Sequence, residues 1–505
     1  MKTSTTTTAA LAFALLTSAS AYTAADDEIG DYVPETDPQV IRKLDQWQDW
    51  KFGFMMHWGA YSQWGIVESW SICSEDVDWC GPPKNNPFTA KYANDYVGYV
   101  KAYEQLPTTF NPVKFAPDAW AKIARDAGTR YVVFTTKHHD GFAMFDTQQS
   151  NYKITAANVP FHTNPRANVT KAVFDAFRAQ GFGIGAYFSK ADWHSPDYWW
   201  PRFATPNRYV NYDTRKYPQR WQDFVKFTHA QIGELTGGAY GPLDILWLDA
   251  GWVRKPHPSD NKDITAIAQY RPGPEDIDMA GLAALARKNQ PGLIVVDRAV
   301  GGRYENYRTP EQQIPDRPLP YPWETCMTLG DSWSYAPNDH YKSARTVVQM
   351  LVDVVAKGGN YLLNVGPDGK GELPAEAVQR LRQIGQWMQV NGEAIYASRA
   401  VAPYSAGKFR YTRLKDGTVY AIYLPAADET TLPDSVCIPG PAPAAGAAVQ
   451  LLGEDARLAW HRDGDATVVE IPAATRQHAA HGYAWAFRLP GAAPGQPVSG
   501  SPSAP

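Results

Sequence analysis

One carboxylate at the end of an apolar run is the clearest candidate for chemistry in this sequence. The run Asp244 to Asp249 reads DILWLD and is followed directly by Ala-Gly-Trp. A carboxylate at the C-terminal end of a buried strand, beside small residues and between tryptophans, is badly placed for packing and well placed for catalysis. We therefore interpret Asp249 as a nucleophile, although aspartate is also a common helix N-cap and this stretch alone leaves that alternative open.

Polar side chains follow other apolar runs in the same way. They are His57, His138 and His139, Tyr187 with Ser189, Asp297 with Arg298, and Asn364. In a barrel of alternating strands and helices, the active site lies at the C-terminal ends of the strands. We therefore expect these side chains to surround one site together with Asp249.

A histidine cluster of this kind could instead bind zinc, with Asp249 as a further ligand. Against zinc, His138 and His139 are adjacent and should point to opposite sides of an extended segment. The four cysteines also lack the C-x₂-C spacing of metal sites. We therefore predict no metal and no cofactor, and expect the histidines to bind substrate hydroxyl groups.

Short apolar runs alternate with helical patterns over some 340 residues. The runs cover 52–57, 131–137, 183–189, 245–249, 293–298 and 360–365, and the helical patterns cover 117–127, 168–180, 221–235, 279–288 and 343–357. Runs that are apolar on both faces are typical of parallel strands covered by helices. This pattern predicts a (β/α)8-type (TIM-like) barrel. A doubly wound sheet is the rival, but the first run is followed by Gly59-Ala60-Tyr61-Ser62 and not by a glycine-rich phosphate loop.

The sequence predicts five segments. Residues 1–21 have the charge, the apolar run and the Ala-Ser-Ala ending of a signal peptide. The remaining four segments are a lead segment (22–42), the barrel (43–394), an all-β sandwich (395–490) and a disordered tail (491–505). The β-like runs of the sandwich are 410–414, 419–424, 449–452, 467–471 and 483–489. We expect an exported protein, periplasmic or secreted after cleavage near Ala21, without a membrane-spanning segment.

Composition narrows the class of partner. The chain has 48 basic and 52 acidic residues and a net charge of −4, which argues against nucleic acid or an anionic membrane as the main partner. Its 18 Trp, 28 Tyr and 19 Phe suit carbohydrate binding, because sugar rings present C–H faces that stack on aromatic rings. In an exported protein, Cys73 and Cys80 can pair across their short loop. The oligomeric state is not predicted.

Seven motifs in order resemble one family. They are residues 52–62 with His-Trp-Gly, 136–142 (TKHHDGF), 187–194, 246–249 (LWLD), 296–298 (VDR), 307–311 (YRTPE) and 358–367 (GGNYLLNVGP). Together they resemble the family 29 glycoside hydrolases, the α-L-fucosidases, over about residues 40–395. Each motif alone would be unspecific, whereas the ordered set is specific.

The resemblance implies a retaining exo-α-L-fucosidase acting on fucosylated oligosaccharides or glycoconjugates. It implies Asp249 as the nucleophile and Glu311 as the general acid/base. It also places fucose-binding positions on His57, Trp70, His138, His139, Tyr187, Trp247 and Arg298. Glu305 and Glu324 compete with Glu311 for the acid/base role, with Glu311 favoured.

The chain departs from the family in two places. Many members carry Glu directly before the tryptophan at Trp70, where this chain has Ser69, with Glu68 one residue earlier. The segment 253–278, rich in proline and charge, should reshape the rim after the fourth strand. Two alternatives in function stay open, a catalytically silent fucose-binding barrel and a retaining glycosidase for a related sugar such as an α-galactoside.

Overall fold

A computed structural model describes residues 30–73, 80–83, 85–203, 207–255, 275–479 and 482–493. The predicted signal peptide (1–21) lies outside the described residues, as do most of the tail after 491 and residues 256–274 of the predicted insertion. Within the described part of the chain, no helix is both long and apolar enough to cross a membrane.

Within the described residues, seven parallel strands form a curled sheet in the order β5-β4-β3-β2-β1-β7-β6. They are β1 (Phe52–Met56), β2 (Tyr131–Lys137), β3 (Gly183–Ser189), β4 (Ile245–Asp249), β5 (Ile294–Asp297), β6 (Glu324–Thr328) and β7 (Asn360–Asn364). Every residue of β1, β2 and β3 is buried. Strands covered on both faces need near-continuous apolar runs, and these runs made them predictable from sequence.

An irregular segment joins the two edges of this sheet. Isolated bridges pair Glu305 with Val296 beside β5, and Glu311 with Cys326 on β6. The backbone N–H of Gln312 also donates to the Cys326 carbonyl at 3.0 Å. The segment therefore occupies the position of an eighth strand. The predicted (β/α)8-type barrel is confirmed, with irregular backbone in place of one strand.

Helices cover the outside of the barrel. They are α1 (Pro38–Trp50), α2 (Tyr96–Glu104), α3 (Pro117–Asp126), α4 (Val169–Ala179), α5 (Pro218–Thr236), α6 (Met279–Asn289), α7 (Ala344–Ala356) and α8 (Ala375–Asn391). Asp37, Asn168 and Ser343 cap α1, α4 and α7 by accepting a hydrogen bond from a first-turn N–H, which explains where these helices begin. The five predicted helices are present within a few residues of their expected bounds.

Strand register brings the functional side chains to one rim. Ser189 at the end of β3 is paired with Asp249 at the end of β4, and Leu248 of β4 is paired with Asp297 at the end of β5. At the opposite end of the barrel, Trp47 of α1 stacks on Tyr307 with ring centroids 4.0 Å apart. Side chains of the protein therefore fill the barrel. Aromatic rings close the end near α1, and polar side chains lie at the C-terminal ends of the strands.

The chain after the barrel is antiparallel β-structure. A six-stranded sheet has the order β13-β12-β16-β10-β9-β8, and a three-stranded sheet has the order β11-β15-β14. The elements are β8 (Ser398–Ala406), β9 (Phe409–Leu414), β10 (Val419–Tyr423), β11 (Ser435–Pro439), β12 (Val449–Leu451), β13 (Arg457–Leu458), β14 (Trp460–Asp463), β15 (Ala466–Glu470), α9 (Ala473–His478) and β16 (Trp485–Leu489). The all-β domain of the predicted fold is therefore confirmed.

Direct hydrogen bonds join the two parts. The Trp387 indole N–H on α8 donates to the Ala484 carbonyl at 2.8 Å, and the Gln349 amide on α7 donates to the Pro425 carbonyl at 2.9 Å. Both contacts lie on barrel helices and not at the rim. The β-domain therefore packs against helices on the outside of the barrel.

Candidate active site

The Arg298 guanidinium contacts both candidate catalytic carboxylates. Its Nη1 lies 3.2 Å from Oδ1 of Asp249, and its Nη2 donates to Oε2 of Glu311. The Asp249 and Glu311 side chains are 14% and 27% exposed, whereas Arg298 is 6% exposed. The two carboxylates can therefore be reached by a ligand, while the cation that they share lies beneath them.

Asp249 is held in its ionised form. The Tyr187 hydroxyl donates to Oδ2 at 2.6 Å, and Nε2 of His139 lies 3.7 Å from the same oxygen. Burial alone would raise the pKa of Asp249, but the Arg298 charge and the Tyr187 hydrogen bond together lower it well below its ordinary value. An ionised, partly accessible carboxylate is what a nucleophile requires.

His57 is fixed as a neutral ring. Its Nδ1 lies 2.8 Å from the side-chain oxygen of Asn364, whose amide nitrogen donates to the Trp333 carbonyl at 2.6 Å and so fixes the amide orientation. Because an amide oxygen only accepts, Nδ1 carries the proton and Nε2 remains an acceptor. Burial lowers the pKa of His57 to about 4, in agreement with a neutral ring.

His138 and His139 are oriented by serine hydroxyls. Nδ1 of His138 is hydrogen-bonded to Ser69, and Nδ1 of His139 lies 2.7 Å from Oγ of Ser189. The Ser189 hydroxyl donates its proton to the Ala191 carbonyl, so His139 donates through Nδ1 and leaves Nε2 as an acceptor beside Asp249. Burial lowers the pKa of His139 to about 3 and that of His138 well below its ordinary value. Neutral acceptors of this kind suit the hydroxyl groups of a sugar.

Contrary to the sequence prediction, His138 and His139 do not point to opposite sides. Their ring centroids are 4.3 Å apart. His138, His139 and Asp249 each have one atom that could bind a metal ion, and these three atoms lie within 4.8 Å of one another. Strand β2 ends at Lys137 after a register shift, so the alternation of an extended strand no longer applies there. A cation among these atoms would face the Arg298 guanidinium, which already neutralises Asp249.

Tryptophans form the apolar part of the site. The Trp70 ring lies edge-on to His139 with centroids 5.2 Å apart, and the Arg208 guanidinium lies 4.9 Å from the Trp70 centroid. Trp247 stacks on Tyr187 at 5.3 Å, and the Arg298 guanidinium lies 5.4 Å from its centroid. All nine predicted catalytic and binding positions therefore gather in one place.

The two rival carboxylates have other contacts. Glu305 is buried and accepts hydrogen bonds from the backbone N–H of Ala299 at 2.8 Å and of Gly301 at 2.9 Å. Glu324 lies inside the barrel, where the Tyr131 hydroxyl donates to it at 2.6 Å and the Trp247 indole at 3.2 Å. Glu311 is the carboxylate that shares the Arg298 guanidinium with Asp249.

A family model described as Alpha-L-fucosidase matches residues 19–393. The chain belongs to the α-L-fucosidase family. The resemblance drawn from the sequence motifs is confirmed, and the match ends at the last helices of the barrel.

Relatives and solved structures of fucosidases match most of the chain. The plasma alpha-L-fucosidase of Homo sapiens is 28% identical over 469 residues, covering 89% of this chain and 90% of that protein. The structure of alpha-L-fucosidase isoenzyme 1 from Paenibacillus thiaminolyticus has a TM-score of 0.68 at 29% identity and covers 90% of this chain and 99% of that chain. A Thermotoga maritima alpha-fucosidase in complex with a mechanism-based inhibitor has a TM-score of 0.67 at 23% identity, covers 91% and 99%, and shows the shared fold.

This fucosidase departs from many family members before Trp70, and the structure shows what the changed residues contact. Ser69 binds His138, while Glu68 is buried and accepts the Ser334 backbone N–H at 2.8 Å. Burial, with a smaller contribution from the Glu311 charge, raises the pKa of Glu68 to about 8. Glu68 is therefore a neutral group beside the site at neutral pH.

One contributor to the fucosidase site was missed from sequence. The indole N–H of Trp333 donates to Oε1 of Glu311 at 3.1 Å, and its ring lies 5.0 Å from that of His57. Trp333 follows β6, a strand that was not among the predicted runs, so its place at a strand end gave no signal. The pairing of Cys73 with Cys80 stays a prediction, because the intervening residues 74–79 lie outside the described part of the chain.

Proposed function

We propose that this protein is a retaining exo-α-L-fucosidase, which removes terminal α-L-fucosyl residues from oligosaccharides or glycoconjugates by double displacement. The contact of one guanidinium with both Asp249 and Glu311 carries the proposal. Retaining glycosidases keep their two carboxyl groups about 5–5.5 Å apart, against about 6.5–9.5 Å in inverting enzymes. Two carboxylates that share Arg298 fit the closer arrangement.

In the first step, an Asp249 oxygen attacks the anomeric carbon and forms a glycosyl ester, while the bond to the leaving group breaks and Glu311 supplies the departing oxygen with a proton. In the second step, Glu311 takes a proton from water, whose oxygen attacks the anomeric carbon. The ester bond then breaks, which releases the sugar and regenerates ionised Asp249. Each residue thus ends the cycle in the state in which it began.

The remaining side chains suit a neutral sugar. Nε2 of His57 and of His139 are acceptors for hydroxyl protons, and Arg298 is a donor next to the reacting centre. Trp70 is partly exposed and offers an apolar face to the ring or the methyl group of fucose, whereas Trp247 is buried and packs against Tyr187 and Arg298. We propose no metal and no cofactor for the reaction, because Arg298 already supplies the positive charge beside Asp249.

A silent fucose-binding barrel is the alternative from another class. An ionised Asp249 beside an accessible Glu311 disfavours it, since a binding protein has no need of either arrangement. Aryl α-L-fucoside and aryl α-galactoside turnover should be compared for wild type and Asp249→Ala. We expect hydrolysis of the fucoside by wild type only, and partial rescue of the variant by azide. Fucose binding without turnover, or preferred turnover of the galactoside, would refute the proposal.

We also propose export of the protein after removal of residues 1–21, on the strength of the apolar run and the Ala19-Ser20-Ala21 ending. N-terminal sequencing of the protein from a periplasmic or culture fraction should begin at Tyr22. An intact Met1 in a protein retained with the cytosol would contradict this expectation.

A further inference from the structure

The three charged residues of the site share an unusual backbone feature. Each is followed directly by a non-glycine residue with a positive φ, namely Ala250 (φ 69°) after Asp249, Ala299 (φ 61°) after Arg298, and Gln312 (φ 53°) after Glu311. Among the residues that the structure describes, seven non-glycine residues have a positive φ, and these are three of them. Residues with a side chain adopt this conformation at a cost, so the surrounding structure must hold it.

The first two turns are held against each other. Ala250 is fully buried, and its carbonyl accepts the Val253 N–H at 3.0 Å. A Cβ added to Gly251 would lie 2.8 Å from the Arg298 carbonyl and 3.3 Å from the Ala299 Cβ, so only glycine allows the two turns to approach this closely. The position of the Asp249 turn therefore depends on that of the Arg298 turn.

A buried carboxylate fixes the Arg298 turn from the other side. Oε1 of Glu305 accepts the Ala299 N–H at 2.8 Å, and its Oε2 accepts the Gly301 N–H at 2.9 Å. The side chain is 1% exposed. Glu305, which the sequence left as a rival acid/base, is thus bound to the backbone that aims Arg298.

The Glu311 turn is clamped to strand β6. The Gln312 N–H donates to the Cys326 carbonyl at 3.0 Å, and the side-chain amide of Gln312 donates to the Thr328 hydroxyl at 3.1 Å. The amide oxygen also accepts the Thr328 N–H at 3.4 Å. The backbone and the side chain of Gln312 therefore tie the turn after Glu311 to two residues of a regular strand, Cys326 and Thr328.

We propose that Ala250, Ala299 and Gln312 are positioning residues, whose left-handed turns aim Asp249, Arg298 and Glu311 at the reacting centre. The proposal rests on the fucosidase activity proposed above. A residue with a side chain has a narrow range in this conformation, whereas glycine has a broad one. Replacement by glycine should therefore free the backbone at these turns without unfolding the protein, and orientation should be lost.

The test compares Ala250→Gly and Ala299→Gly with Ala397→Gly. Ala397 has φ 54°, precedes β8 and donates to the Asp49 carbonyl, so it supplies the same substitution in the same conformation outside the site. We expect similar melting temperatures for all three variants. On an aryl α-L-fucoside, kcat should fall by about tenfold or more for the two site variants, because small misplacements of catalytic groups are costly, and should stay unchanged for Ala397→Gly. KM should change by less than about threefold.

Two further readouts separate positioning from general loosening. In Ala299→Gly the acidic limb of the kcat/KM profile should move to higher pH, because a loosened Arg298 holds Asp249 less firmly in its ionised form. Gln312→Gly should slow substrates with poor leaving groups more than aryl fucosides, whereas Gln312→Asn, which tolerates the left-handed conformation and keeps an amide, should recover part of this loss.

The outcomes are distinct. An inactive wild type would refute the proposed function and this inference with it. An active wild type whose three site variants match Ala397→Gly in kcat, pH profile and leaving-group dependence would overturn the inference alone, because the turns would then be structural only.

Discussion

Glu324 should make the stability of the barrel depend on pH. This fully buried side chain accepts hydrogen bonds from Tyr131 and Trp247, which favour its ionised form, but burial outweighs them and raises its pKa from 4.5 to about 7. The difference corresponds to about 3 kcal/mol between the protonated and ionised forms. A carboxyl whose pKa is raised on folding stabilises the native state below the unfolded pKa. This stabilisation is lost as pH rises through the folded value.

Glu324→Gln mimics the protonated form and removes the titration. The free energy of unfolding of wild type relative to Glu324→Gln should therefore fall by about 3 kcal/mol between pH 4.5 and pH 8. Urea unfolding of both proteins, followed by tryptophan fluorescence at each pH, measures this difference while other titrations cancel. Glu376→Gln on the outside of α8, where the side chain is 50% exposed, is the control and should change by less than about 1 kcal/mol. A wild-type to Glu324→Gln difference that is constant within about 1 kcal/mol from pH 4.5 to pH 8 would refute this reasoning.

Three further predictions concern the site and the cysteines. Glu311→Ala should lower kcat/KM for substrates with poor leaving groups by about 10²–10⁴-fold and for activated aryl fucosides far less, because good leaving groups need little protonation; equal losses in both classes would reassign the role. Tyr187→Phe removes the 2.6 Å hydrogen bond to Asp249, so the pKa of that carboxyl should rise and the acidic limb of kcat/KM should move to higher pH; an unmoved limb would contradict this. Mass spectrometry of the unreduced protein should find Cys73 and Cys80 joined, and alkylation of both would exclude the pair.

Strands with near-continuous apolar runs were the predictable part of the fold. Those at 131–137, 183–189 and 245–249 have the bounds expected from sequence. Strand β6 was missed as a run because it reads Glu-Thr-Cys-Met-Thr, in which three of the five buried residues are polar. Strands β8 and β11 were missed because each contains a proline, Pro403 in β8 and Pro439 at the end of β11.

The polar residues of the site were predictable because the C-terminal ends of the strands in a barrel lie at one rim. The hydrogen-bond partners of these residues were not predictable. Neither the serine that orients His138 nor the Trp333 indole on Glu311 follows from local sequence, since each contact joins distant segments. The prediction that His138 and His139 point to opposite sides was wrong. It assumed the alternation of a strand beyond Lys137, where the regular strand has ended.

The double-displacement mechanism requires that Asp249 form a covalent bond to fucose. A 2-fluorinated fucosyl fluoride should inactivate the enzyme, because fluorine at C2 slows both the formation and the hydrolysis of the glycosyl ester, whereas the fluoride leaving group restores the rate of formation only, so that the ester accumulates. Proteolysis and mass spectrometry should then find the fluorofucosyl group on the peptide that contains Asp249, and Asp249→Ala should remain unlabelled. Labelling of Glu311, Glu68 or any other carboxylate in the wild-type enzyme, with Asp249 unmodified, would contradict the account.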